Sequence, residues 1–146
     1  MTITPFLWFD GKVEEAMNFY VSVFKNSKVT NVFPGPNGTV MSATFELDGQ
    51  RFMALNGGPM FAFTPAVSFF VNCDTQAEVD ELWETLSAGG KKERCGWLKD
   101  KYGLSWQVVP SILGKLLQDQ EPGKSKRVMA ALMQMDKLDI ERLQQA

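Results

Sequence analysis

The chain predicts an α+β fold made of two modules in series followed by a helical tail. Three observations carry that reading. First, an apolar strand pattern running into a helical one occurs twice. Pro5-Phe6-Leu7-Trp8-Phe9-Asp10 leads to Phe19-Tyr20, and Pro65-Ala66-Val67-Ser68-Phe69-Phe70-Val71 leads to Leu82-Trp83. Such a repeat points to paired modules with a cavity between them. Second, the segments between these openings and Pro110 contain strand and hairpin signals. Third, the residues after Pro110 switch to helical periodicity. At 146 residues, with 45% apolar and 22% charged residues, the chain fits one domain with a real core. The expected layout is a single domain, 1–146, with module one at 1–56, a crossover at 57–64, module two at 65–110 and the tail at 111–146.

Residues 3–9 form an apolar strand with proline near its start, where no ladder N–H is needed. Asp10-Gly11 breaks it. Val13, Ala16, Met17, Tyr20 and Phe24 then mark one face of a helix, with Glu14 and Glu15 in the first turn suiting the helix dipole. Lys28–Phe33 reads as a short strand and 34–38 as a loop. In Thr39–Leu47, Met41, Ala43, Phe45 and Leu47 alternate with Val40, Ser42, Thr44 and Glu46, the signature of a half-buried strand. Asp48-Gly49 marks a tight hairpin, with Gln50–Asn56 returning. Module one is therefore strand–helix–strand–strand–strand.

Module two repeats the order. Pro65–Asn72 is its first strand. Asp74 or Thr75 can cap a helix, with Glu78 placed to complete a capping box after Thr75, and the apolar face is Val79, Leu82, Trp83 and Leu86. Gly89-Gly90 ends that helix. Lys91–Asp100 holds one or two short strands and Leu104–Pro110 the last. In the tail, Ser111–Leu117 reads as a short helix. Ser125 is expected to cap a helix with Val128, Ala131, Leu132 and Met135 on one face, and Asp139 to cap the last one. The tail's apolar face must dock, on its own domain or on a second subunit.

Composition excludes several functions. The net charge is −2 and the basic residues are scattered, which is not the footprint of a nucleic-acid binder. No apolar stretch is long enough to span a membrane, and the N-terminus lacks a signal-peptide pattern. A cytoplasmic protein with two reduced thiols, Cys73 and Cys95, is expected. The absence of histidine removes the commonest metal ligand and acid/base group, so nothing near Cys73 marks it as an activated nucleophile.

The segment Leu98-Lys99-Asp100-Lys101-Tyr102-Gly103-Leu104-Ser105-Trp106-Gln107-Val108-Val109 resembles the last strand of the vicinal-oxygen-chelate superfamily, the glyoxalase and bleomycin-resistance fold. Glu14-Glu15-Ala16-Met17-Asn18-Phe19-Tyr20 is similar to that superfamily's first helix. Leu7-Trp8-Phe9-Asp10-Gly11, Phe69-Phe70-Val71-Asn72-Cys73-Asp74 and Cys95-Gly96-Trp97-Leu98-Lys99-Asp100 resemble its PhnB-like group, which often carries the label demethylubiquinone methyltransferase-like. The resemblance covers residues 3–110. It implies two βαβββ modules forming curved mixed sheets around a ligand cavity, and a homodimer.

Metal-dependent members of the superfamily place His, Gln or Glu on the inner strands. Here Gln107 stands where many have glutamate, and the fourth strand offers at best Asn56, so the resemblance implies a lost metal site and no cofactor. An aromatic pocket for a small organic ligand is expected instead, with Trp8, Phe52, Asn56, Phe70, Trp97, Trp106 and Gln107 as candidate ligand-binding residues. The alternative is a metal-dependent isomerase, lyase or oxygenase of the same superfamily. A methyltransferase would need a glycine-rich donor loop on a parallel sheet, and Gly57-Gly58 and Gly89-Gly90 match neither its spacing nor its context.

Overall fold

The computed structural model describes all residues, 1–146. The chain forms two compact units, Met1–Phe63 and Thr64–Ala146, so all of the crossover segment but Thr64 lies in the first. The first unit contains β1 (Phe6–Phe9), α1 (Val13–Val23), β2 (Lys28–Pro34), a 3-10 turn (Pro36–Gly38), β3 (Val40–Leu47) and β4 (Gln50–Asn56). The second contains β5 (Ser68–Cys73), α2 (Gln76–Ser87), β6 (Lys91–Lys92), β7 (Trp97–Lys99) and β8 (Ser105–Pro110). Its tail follows as α3 (Ile112–Leu117), α4 (Lys124–Leu132) and α5 (Ile140–Gln145).

The two sheets have the same order, β1-β4-β3-β2 and β5-β8-β7-β6. In each, the first strand runs parallel to the last and the remaining pairs are antiparallel. The second module thus completes its three-strand set, because Lys91–Asp100 supplies both β6 and β7. These are two mixed, unclosed βαβββ sheets, the expected α+β class.

In the first unit, α1 packs on the face carrying Leu7, Phe9, Ala43, Phe45, Leu47, Phe52 and Ala54, all buried. Phe45 stacks on Phe52 at 5.5 Å, and Tyr20 of α1 lies over Phe45. No side chain caps α1 from its own N-terminal residue, Lys12. Asn56 does this from β4: its Oδ1 accepts the Val13 N–H at 3.1 Å while its Nδ2 donates to the Val40 carbonyl at 2.8 Å. Strand β2 is exposed along its length and bulged twice against β3.

In the second unit, α2 begins where expected, with Thr75 Oγ1 accepting the Glu78 N–H at 3.2 Å. Val79, Trp83 and Leu86 pack against a sheet face made by Leu98, Trp106, Val108 and Cys73. The tail docks on its own unit around a core of Val109, Leu113, Val128, Met135, Leu138 and Leu143. Gln76 of α2 ties the tail down, donating to the Leu138 carbonyl and accepting from the Ile140 N–H. Asp139 caps α5 as expected. Ser125 does not cap α4: Gly123, in the left-handed region at φ 79°, precedes the helix and Lys124 opens it. Lys124 is buried because its ammonium donates to the Gln144 and Ala146 oxygens at the end of α5, at 2.7 and 2.8 Å.

Candidate functional site

Strand alternation divides the expected ligand-binding residues between two faces. Phe52 and Trp106 lie on the helix-covered faces, 5% and 3% exposed. Both side chains pack in the core beneath the helices. Trp106 packs on Phe69 at 5.5 Å, and its indole N–H donates to Asp100 Oδ2 at 2.9 Å. Asn56 also turns to the helix side, with both ends of its amide engaged as the cap of α1. Each of these three residues makes its contacts within its own unit.

Trp8, Phe70, Trp97 and Gln107 remain. Trp8 stands on the face of the first sheet opposite α1, with Phe6, Met53 and Leu55 beside it by register. The crossover segment folds over it: the indole N–H donates to the Gly58 carbonyl at 2.9 Å, and Phe61 meets the ring edge-on at 4.9 Å. A Cβ on Gly57 would lie 2.3 Å from the Trp8 ring, so only glycine permits this approach.

The other three share the face of the second sheet opposite α2. Phe70 pairs with Gln107 across β5 and β8, and Trp97 pairs with Gln107 across β7 and β8. The tail covers the Val109 end of this face. Phe70 is 54% exposed, and Trp97 and Gln107 are half-buried. Gln107 Nε2 donates to Ser68 Oγ at 2.9 Å. Ser105, aligned with Ser68 on the same face, is fully buried and its hydroxyl has no hydrogen-bond partner. Sequence reasoning missed Ser105, although its position two residues before Gln107 on one strand put it on the same face.

The turn between β7 and β8 sets this register. Asp100, 2% exposed, accepts from the Tyr102 and Leu104 N–H groups at 2.9 and 3.0 Å as well as from Trp106. The Asp-x-x-Gly turn thus builds the strand rather than presenting a carboxylate.

The donors on the Gln107 face are hydroxyl and amide groups. No three His, Cys, Asp or Glu residues gather anywhere to hold a metal ion. Divalent transition metals favour imidazole, thiolate or carboxylate, so these residues do not fit one. Burial, with Glu78 and Asp74 adding to it, pushes the Cys73 thiol up to about 11, leaving it protonated and inert at neutral pH.

The family profile described as 3-demethylubiquinone-9 3-methyltransferase matches residues 1–109. A solved structure described as a putative 3-demethylubiquinone-9 3-methyltransferase, PhnB protein, from Bacillus cereus is 40% identical. The match covers 76% of this chain and 100% of that one, with a TM-score of 0.72. A protein from Pseudomonas aeruginosa is 22% identical over 75% of this chain and 97% of its own, with a TM-score of 0.65. The fosfomycin resistance protein FosX of Listeria monocytogenes, solved with Mn(II) and sulfate, is 14% identical over 73% and 89%, with a TM-score of 0.56. The last two likenesses are of fold, the glyoxalase fold. No curated protein matches the chain.

Proposed function

Because the chain belongs to the family described as 3-demethylubiquinone-9 3-methyltransferase, the PhnB-like branch of the glyoxalase fold, we propose a function within that scaffold: binding a small organic ligand without a metal ion. The site is the α2-distal face of the second sheet. One observation carries this reading. An exposed Phe70 stands beside a neutral amide–hydroxyl pair, Gln107 and Ser68, at the strand position where metal-dependent relatives of the fold are expected to carry a charged ligand. Aromatic surface with a few fixed polar groups is the composition of an organic-ligand site. Trp97 extends the apolar surface, and Trp8 adds a second aromatic site on the first unit.

Methyl transfer finds little support in the chain. A donor nucleotide of the usual kind needs a glycine-rich loop after a strand of a parallel sheet, and both sheets here are mixed. The two glycine pairs have other work: Gly57 admits the Trp8 ring, and a Cβ on Gly90 would collide with the Lys99 carbonyl.

The reading extends to a homodimer in the cytoplasm. The exposed Val32 and Phe33 of the edge strand β2 support the first and the free thiols support the second. Light scattering after size exclusion checks the dimer. The ligand reading is tested by native mass spectrometry of the purified protein, then by thermal shift against an aromatic fragment set with and without EDTA. The expected result is fragment stabilisation that EDTA leaves unchanged. A stoichiometric, EDTA-removable metal that raises the melting temperature overturns it.

A further inference from the structure

Ser105 is a fully buried serine whose hydroxyl lacks a partner, in a chain that otherwise satisfies its buried side-chain polar groups. Such a group is costly, and alanine would fill the same space without the cost. Its surroundings are specific. Ser68 lies across from it on β5, Lys99 across from it on β7, and Gln107 two residues along on β8. The Gln107 side chain runs diagonally toward the Ser68–Ser105 pair and spends one amide N–H on Ser68 Oγ. That leaves the hydroxyl protons of Ser68 and Ser105, the second Gln107 N–H and the Gln107 carbonyl to face an incoming group. Three donors and one acceptor carry no formal charge. Lys99, the nearest cation by register, lies 3.9 Å from Glu93 and is balanced by it.

We propose that Ser68, Ser105 and Gln107 form the polar subsite of the ligand face, and that it takes the oxygen of a neutral aromatic carbonyl or carboxamide. This inference rests on the metal-free ligand reading above and names the class of ligand. The ligand ring lies against Phe70 and Trp97, and its oxygen accepts from the Ser105 hydroxyl. A carboxylate is disfavoured, since the groups that meet the oxygen are neutral and the cation nearest them by register, Lys99, is paired with Glu93. Ser105 is closed to solvent, so entry requires a neighbour to move.

The test is an NMR titration of the ¹⁵N-labelled full chain with benzamide, benzoate and toluene, repeated on Ser105→Ala and Ser68→Ala. Benzamide is expected to shift the amides of Ser68, Ser105 and Gln107, and benzoate to bind more weakly. Ser105→Ala is expected to melt at or above the wild-type temperature while weakening benzamide roughly two- to tenfold, one neutral hydrogen bond. Toluene binding is expected to be unchanged by it. If toluene and benzamide both bind at Phe70 but Ser105→Ala leaves benzamide unaffected, the polar subsite is refuted while the ligand face stands. Benzoate binding as tightly as benzamide also refutes it. If none of the three probes perturbs this face, both readings fall.

Discussion

Replacing Asp100 tests whether one buried carboxylate sets the register of the ligand face. Its oxygens receive the Tyr102 and Leu104 backbone N–H groups and the Trp106 indole N–H, all within 2.9–3.0 Å, at 2% exposure. Hydrogen bonds to a charged acceptor contribute about 1.5–3 kcal/mol each, but water can reach Tyr102 and such terms do not add fully. Asp100→Ala is therefore expected to cost about 3–5 kcal/mol, at the upper end for a single substitution. Asp100→Asn keeps the shape, yet its NH2 must face an N–H donor, and about 2–3 kcal/mol is expected. Trp106→Phe removes the opposed donor. In the double variant Asp100→Asn/Trp106→Phe the clash disappears, so its cost should fall short of the sum of the singles by about 1 kcal/mol. Urea unfolding followed by far-UV circular dichroism measures the wild type and the four variants without relying on tryptophan emission. A cost below about 1 kcal/mol for Asp100→Ala, or strict additivity in the cycle, would show that the turn holds without this carboxylate.

Gly57→Ala should force the crossover off Trp8, costing about 1–3 kcal/mol and exposing residues 57–63 to limited proteolysis; an unchanged cleavage pattern argues against the glycine requirement. Lys124→Met removes the donor to the last turn of α5 and should speed hydrogen exchange at Ile140–Gln145 while leaving β3 and β4 protected. Cys73 gives a pH dependence with a definite sign. The unfolded chain loses this thiol proton near 9.0 and the folded one at about 11. The thiol contribution to stability is therefore fully present below 9 and is lost as pH rises between the two values. Cys73→Ala should flatten that decline in urea titrations between pH 8.5 and 11, and an unaltered slope would contradict burial of the thiol.

The sequence revealed elements where patterning is local and periodic. Ala43, Phe45 and Leu47 point inward as their alternation predicts, and Thr75 caps α2 because the N–H it accepts, that of Glu78, lies only three residues on. Met41, in the same alternation, is 52% exposed. An alternating pattern names a face but cannot say how far along it the packed helix extends. Asn56 was legible as a polar residue ending a strand, but not as the cap of α1, since the N–H it accepts lies 43 residues away. The need of the Trp106 indole for a partner was also legible. That Asp100 meets it inside the core depends on a turn whose conformation the spacing alone does not fix. Ser105 was hidden for a simpler reason: a serine in an apolar strand is unremarkable until its neighbours are placed and its hydroxyl is found alone.

The edge strands β2 and β6 leave the modules unequal as templates for misassembly. Strand β6 spans two lysines, too short and too charged to recruit another chain. Strand β2 is seven residues long and exposed throughout, with Val29, Val32 and Phe33 along it. Its protection is geometric: two bulges break the ladder that an incoming strand would need, and Pro34 withholds a donor at the end. A deletion that regularised β2 would stabilise its pairing with β3 and at the same time turn that edge into a growing surface for fibrils.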